Sequence, residues 1–152
     1  MNKNYLFLLA FVFTHNLGFS QIFEEITDPI FQGVFYGDCT VLDINNDNRK
    51  DILFSGAVTD YITGNTSVFS NTTDGFFQIN EAFSQIIYTS VATADLDGNG
   101  FTDIVVSGVR NEPGLAQTPV FEIYYNNGDE TFTADAGTGI LPVTYGSIEI
   151  AD

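Results

Sequence analysis

Asp95-Leu96-Asp97-Gly98-Asn99-Gly100-Phe101-Thr102-Asp103, running on into Ile104-Val105-Val106-Ser107-Gly108, is written twice in this chain. The earlier copy, 52 residues upstream, is Asp43-Ile44-Asn45-Asn46-Asp47-Asn48-Arg49-Lys50-Asp51, running on into Ile52-Leu53-Phe54-Ser55-Gly56. Counted from the first Asp, positions 1, 3, 5 and 9 carry side-chain oxygens in both copies, and a short apolar run follows. Upstream, Tyr36-Gly37-Asp38-Cys39-Thr40-Val41-Leu42 leads into Asp43, and Tyr88-Thr89-Ser90-Val91-Ala92-Thr93-Ala94 leads into Asp95. A third lead, Tyr145-Gly146-Ser147-Ile148-Glu149-Ile150-Ala151, reaches Asp152, 57 residues after Asp95. Downstream of each loop, Asn71 to Phe77 matches Asn126 to Phe132. Three landmarks in one order, twice over, define a repeat of roughly fifty residues, the length range of propeller blades.

The texture between landmarks is β. Thr40-Val41-Leu42, Ile52-Leu53-Phe54 and residues 66–70 are short runs rich in β-branched or aromatic residues, bounded by Asp, Asn and Gly. Asp74-Gly75 and Asn127-Gly128 sit between such runs, a hairpin signal. Ile148-Glu149-Ile150 alternates as a half-buried strand does. The expected fold is all-β: β-propeller blades starting near residues 36, 88 and 145, two complete and a third begun. A β-sandwich is the competitor, but it would not repeat its loop chemistry at this period. Propellers close with ~4–8 blades, so the sequence is expected to be the front of a longer, closed propeller.

Side-chain oxygens at every other position converge only if the backbone wraps around a point. Position 7 then adds its carbonyl, which frees its side chain to vary between Arg49 and Phe101. Ca²⁺ takes ~6–8 hard oxygen ligands in flexible geometry, and such a loop supplies most of them. Gly100 stands at position 6, where the chain turns sharply, and Asn48 stands there in the first loop. Without a cation, two like charges 4 Å apart cost ~4 kcal/mol at an effective dielectric of 20. The plainer alternative is an acidic turn whose Asp and Asn cap backbone groups. Duplication at matching repeat positions favours the metal. An EF-hand is excluded, because position 12 is Phe54 or Val106 rather than a bidentate Glu.

The pattern Asp-x-Asp/Asn-x-Asp/Asn-x-x-x-Asp before an apolar strand, with Phe35-Tyr36-Gly37 upstream and the Asn71 to Phe77 hairpin downstream, resembles the FG-GAP repeat. It is closest to the bacterial version called FG-GAP-like or VCBS. The resemblance implies a β-propeller, as in integrin α-subunits, with Ca²⁺ in a hairpin loop at the rim. It assigns Asp43, Asn45, Asp47, Arg49 (through its carbonyl) and Asp51 to one site. Asp95, Asp97, Asn99, Phe101 (through its carbonyl) and Asp103 form the other. The first loop departs from the pattern at Asn45 and Asn48 and sets Arg49-Lys50 beside the ion, so it is expected to be the weaker site.

Composition narrows the function. Twenty acidic residues face four basic ones, for a formal charge of −16. That balance argues against nucleic acid and an anionic membrane surface as partners. Hydrophobic residues at 44% exclude a disordered acidic tail. Cys39 alone excludes an internal disulfide and Cys-based zinc clusters. Lys3 followed by the apolar run Tyr5 to Phe13, then small residues before Gln21, reads as a signal peptide over residues 1–20, leaving 21–152 as the repeat region. The run is too short to span a bilayer, so no transmembrane segment is expected in the mature chain. Cleavage removes His15, the single histidine, and with it Ser-His-Asp, Cys-His and His-zinc chemistry.

The expected role is a secreted or cell-surface calcium-binding module that adheres to an extracellular glycan or protein. The alternative is a non-catalytic propeller part of an extracellular lyase or glycosidase; a purely structural array carrying another domain is a third reading. A glycosidase needs only a carboxylate pair. Glu24, Glu25, Glu81, Glu112, Glu122 and Glu130 belong to no motif and read as solvated strand or turn residues. Tyr36, Tyr88 and Tyr145 read as packing rather than a sugar platform, and Cys39 as a small buried hydrophobe.

Overall fold

Runs of alternating or β-branched residues become strands here, and the Asx- and Gly-rich intervals become the turns between them. The structure is a computed structural model describing residues 31–59, 62–79, 83–111, 116–135 and 139–151. The expected signal peptide lies outside the described residues. The strands are β1 (Phe35–Leu42), β2 (Asp51–Ala57), β3 (Gly64–Thr72), β4 (Gly75–Gln78), β5 (Ile86–Ala94), β6 (Asp103–Arg110), β7 (Thr118–Asn126) and β8 (Phe132–Asp135). They form two four-stranded sheets, β1-β2-β3-β4 and β5-β6-β7-β8. Every neighbouring pair is antiparallel and consecutive in sequence, so the chain crosses each sheet by hairpins alone. The fold is all-β, with the architecture of successive propeller blades. Among the described residues no helix is long and apolar enough to cross a membrane.

The two sheets share one core. Leu42, Ile44, Leu53, Val68 and Ile79 from the first pack with Ile86, Val91, Ile104, Val106 and Tyr124 from the second. Each such side chain contributes ~1.5–3 kcal/mol when removed from water, so the sheets are held chiefly by this seam. Their approach is close: a Cβ at Gly64 would lie 2.4 Å from the backbone nitrogen of Ile86. Polar groups complete the seam. Asp38 Oδ2 accepts from Val91 N at 3.1 Å, and Thr89 Oγ1 donates to the Ser55 carbonyl at 2.7 Å.

On the equivalent face of each sheet an aromatic residue that precedes the inner strand folds over. Phe31 packs on Phe69 and Phe76, with ring centroids 4.8 and 5.5 Å away. Phe83, 52 residues on, packs on Tyr124 and Phe132 at 5.0 and 5.4 Å. The repeat therefore reaches five residues further upstream than its tyrosine landmark.

That tyrosine marks a bulge. Register slips between Phe35 and Asp38 in β1 and between Ile87 and Ser90 in β5. Tyr36, Tyr88 and Tyr145 all take left-handed backbone, with φ of 47, 53 and 57°. Their rings lie against one another in sequence, tilted by 49 and 37° with centroids 5.4 and 4.5 Å apart, and Tyr36 and Tyr145 stay 62% and 75% exposed. They pack on one another, and Tyr88 also packs against Ala57, Ile87 and Val109. The third lead also repeats the seam, since Ile148 N donates to Ser90 Oγ at 2.9 Å as Val91 N does to Asp38.

Cys39 corrects an expectation, for it is exposed. Its counterpart Val91 is buried because that face of β5 lies against the first sheet. The same face of β1 meets no second sheet among the described residues.

Candidate metal centre

Each nine-residue loop joins the first two strands of its sheet, and the same hydrogen bonds shape both. Position 1 gathers amides: Asp43 accepts from Asp47 N at 3.1 Å and Asn48 N at 2.9 Å. Asp95 accepts from Gly98 N, Asn99 N and Gly100 N at 2.9–3.1 Å. Position 3 accepts from position 5, through Asn45 Oδ1 at 3.2 Å and Asp97 Oδ1 at 3.0 Å. Position 5 accepts from position 7, through Asp47 Oδ1 and Asn99 Oδ1, both at 2.8 Å. The alternation of oxygens in the sequence is thus an alternation of turn acceptors that draws the loop inward.

Positions 4 and 6 pay for this curl with left-handed backbone. They are Asn46 and Asn48 in the first loop (φ 59 and 66°), Gly98 and Gly100 in the second (φ 77 and 90°). Sequence reading singled out position 6; position 4 makes the same demand and met it with the same residue types.

Position 9 is different in kind. Asp51 and Asp103 are fully buried. One carboxylate oxygen accepts from position 2, Ile44 N at 2.8 Å or Leu96 N at 2.7 Å. The other accepts from the end of the third strand, Asn71 N at 2.7 Å or Asn126 N at 2.8 Å. The last Asp therefore ties loop, second strand and third strand together. Burial pushes the Asp51 carboxyl above its ordinary range; the amides of Asn71 and Ile44 oppose this, while Asp47 and Asp43 reinforce it. An anion in that position is short of positive charge.

The carboxylates converge to different degrees. In the second loop Asp95, Asp97 and Asp103 each offer an oxygen within 4.8 Å of the others. Among the described residues no other three acidic, His or Cys side chains gather so closely. In the first loop Arg49 Nη1 instead donates to Asp47 Oδ2 at 3.2 Å. Phe101, at the matching position 7, lays its ring over Gly128, where a Cβ would come within 2.5 Å of it. The set fits a hard divalent cation. All side-chain donors are oxygens, Asp95 and Asp97 face solvent, and a carboxylate has about four lone-pair sites, so an oxygen that accepts an amide can still ligate.

Asn126, Glu130 and Glu122 were not legible as functional residues. Asn126 is fully buried; its Nδ2 donates to the carbonyls of Ile44 and Thr102, joining the two loops through the second hairpin. Asn46 Nδ2 adds a donation to the Gly100 carbonyl at 2.9 Å. Glu130 reaches back from the β7–β8 turn to Asn45 and Ser70. Glu122, expected in solvent, is 4% exposed, pairs with Arg110, and accepts from Ser84 Oγ at 3.1 Å and Tyr124 Oη at 2.6 Å. Glu24, Glu25, Glu81 and Glu112 lie outside the described residues.

Residues 43–106 match the model of a family described as FG-GAP-like repeat. The match spans both loops and the strands between them. No curated protein and no solved structure matches the chain.

Proposed function

We propose, from the match of residues 43–106 to the FG-GAP-like repeat, that this is a β-propeller-type, calcium-binding, secreted or cell-surface binding module. The observation that carries the calcium reading is the convergence of Asp95, Asp97 and Asp103 within 4.8 Å in a loop whose curl is written twice. Asp95, Asp97, Asn99, Asp103 and the Phe101 carbonyl would hold Ca²⁺ in the second loop. Asp43, Asn45, Asp47, Asp51 and the Arg49 carbonyl would hold it in the first. The ion's contribution is structural charge neutralisation: it cancels repulsion among carboxylates that the fold has already brought together and locks the loop to its strands. With the loops fixed, the blade edges form a rigid surface for an extracellular glycan or protein ligand. The acidic composition and the N-terminal apolar run of the sequence support the extracellular setting.

Calorimetric titration with Ca²⁺ tests this reading. Two saturable events are expected, the tighter one lost in Asp97→Ala, whose side chain is exposed and, among the described residues, bonds only Asn99. At a hundredfold excess over the dissociation constant the ion adds ~2.7 kcal/mol to stability, a rise in melting temperature of roughly 5–10 °C. A titration without heat and a melt indifferent to chelator would reduce both loops to acidic turns.

A further inference from the structure

Position 3 of the first loop is Asn45, where the second loop has Asp97. An amide can turn either its oxygen or its NH₂ toward a cation, and only its neighbours decide which. Both ends of Asn45 are specified. Oδ1 accepts from Asp47 N inside the loop at 3.2 Å, and Nδ2 donates outward to Glu130 Oε1 at 3.1 Å. Glu130 belongs to the other sheet, in the β7–β8 turn. Ser70 Oγ, on β3, donates to the same oxygen at 3.1 Å, so the carboxylate is held across the cleft between the sheets.

The backbone there is unusual as well. Glu130 has φ of 64° in a β7–β8 turn one residue longer than the β3–β4 turn, since Asn126 pairs with Phe132 where Asn71 pairs with Phe76. Left-handed backbone is uncommon for a residue with a side chain. The second hairpin adopts it where that side chain reaches the neighbouring loop. The second loop needs no such help, because Asn99 Nδ2 donates to the Asn126 carbonyl of its own sheet at 2.8 Å.

We propose that Glu130 is a positioning residue for calcium in the first loop: by accepting from Asn45 Nδ2 it keeps Asn45 Oδ1 turned inward as a ligand. The first site's ligand set is then oriented by a side chain of the adjoining blade. This rests on the calcium reading above.

The test is Ca²⁺ calorimetry on the purified chain carrying Asp97→Ala, which isolates the first loop. Glu130→Gly keeps the left-handed backbone, which glycine adopts without steric cost, and should weaken this site ~10–100-fold, the usual effect of losing a ligand's outer partner. Glu130→Gln, whose Oε1 still accepts from Asn45, should restore most of the affinity. In the complementary Asp43→Ala chain, Glu130→Gly should leave the second loop's affinity unchanged. Without calcium, the Asn45 side-chain NH₂ resonances should shift in Glu130→Gly and much less in Glu130→Gln. First-loop affinity indifferent to Glu130→Gly would overturn the proposal while leaving the calcium reading intact. Glu130→Gln as weak as Glu130→Gly would overturn it too, making the charge rather than the hydrogen bond the active feature. No calcium heat from the unsubstituted chain would defeat both.

Discussion

In the first loop Arg49 lies on Asp47, Asn45 leans on a carboxylate from the next sheet, and asparagines take both left-handed positions. In the second loop three carboxylates face one another with no basic residue among them, and glycines take the same two positions. The backbone path is shared, down to the buried Asp that closes each loop. One scaffold thus handles crowded negative charge in two ways, by internal pairing in the first loop and by leaving charge open to a cation in the second. Hydrogen bonds set the curl, and the number of unpaired carboxylates sets the expected affinity.

The sharpest way to break this comparison is at position 9, where the loops are alike. Asp103→Ala removes the acceptor from two backbone amides, those of Leu96 and Asn126. Each buried donor left unsatisfied costs ~1–3 kcal/mol, so the variant should lose ~3–5 kcal/mol in urea denaturation even with chelator present. Asp51→Ala should behave similarly, through Ile44 and Asn71. Asp97→Ala should change apo stability by less than ~1 kcal/mol, as an exposed turn residue does. Equal losses for Asp103→Ala and Asp97→Ala would show that the buried aspartate is no staple.

The sheets also differ where Phe69 of the first corresponds to Tyr124 of the second. Tyr124 is buried, donates to Glu122 and accepts from Ser84 N at 2.9 Å. Burial first, and the Glu122 hydrogen bond second, push its phenol from 10.0 up to about 12. The folded state therefore holds the proton more tightly than the unfolded chain. That stabilisation is complete below pH 10 and is lost as pH rises through 12, to the extent of ~2–3 kcal/mol. Denaturation midpoints measured from pH 9 to 12 should fall along that slope in the native chain and flatten in Tyr124→Phe. An unchanged slope in the variant would place the alkaline sensitivity elsewhere.

A smaller contrast lies at position 6. Gly100→Ala puts a Cβ on left-handed backbone and should cost ~1–2 kcal/mol. Nothing lies within 4 Å of that Cβ, so the cost is conformational alone. Asn48→Gly at the matching position should be neutral within a few tenths of a kcal/mol, because asparagine already tolerates the region better than most residues. Thermal melts of the two variants in chelator decide it; a larger loss from Asn48→Gly would mean that its side chain carries an interaction of its own.

Much of this was legible because it is local. The spacing of Asp43, Asn45, Asp47 and Asp51 encodes the curl directly, as each oxygen caps an amide two to seven residues away. Strand existence was legible for the same reason, and Asn71 and Asn126 were visible as matching landmarks. Their task of closing on the buried aspartates was not visible, because it joins different turns of the sheet. Glu130 acts on Asn45 from 85 residues away, and no periodicity connects a turn to the neighbouring blade's loop. Phe31 and Phe83 share the 52-residue spacing, which could have found them had the repeat been extended upstream. Cys39 misled for a tertiary reason: its strand position is buried only where a sheet lies against that face.

Arg49 supplies the finest test of the difference between the loops. Its pair with Asp47 is partly exposed on both sides, 41% and 28%, and such pairs contribute ~0–1 kcal/mol. Arg49→Gln should therefore barely move apo stability. Its effect should appear in calcium binding, since the guanidinium would compete with a bound ion for the Asp47 carboxylate. First-loop affinity, measured by calorimetry with Asp97→Ala present, should rise several-fold at low salt and less at high salt, where the competing charge is already screened. An affinity that does not move would locate the first loop's weakness in Asn45, the neutral ligand at position 3, and Asn45→Asp would then be the substitution that brings the two loops level.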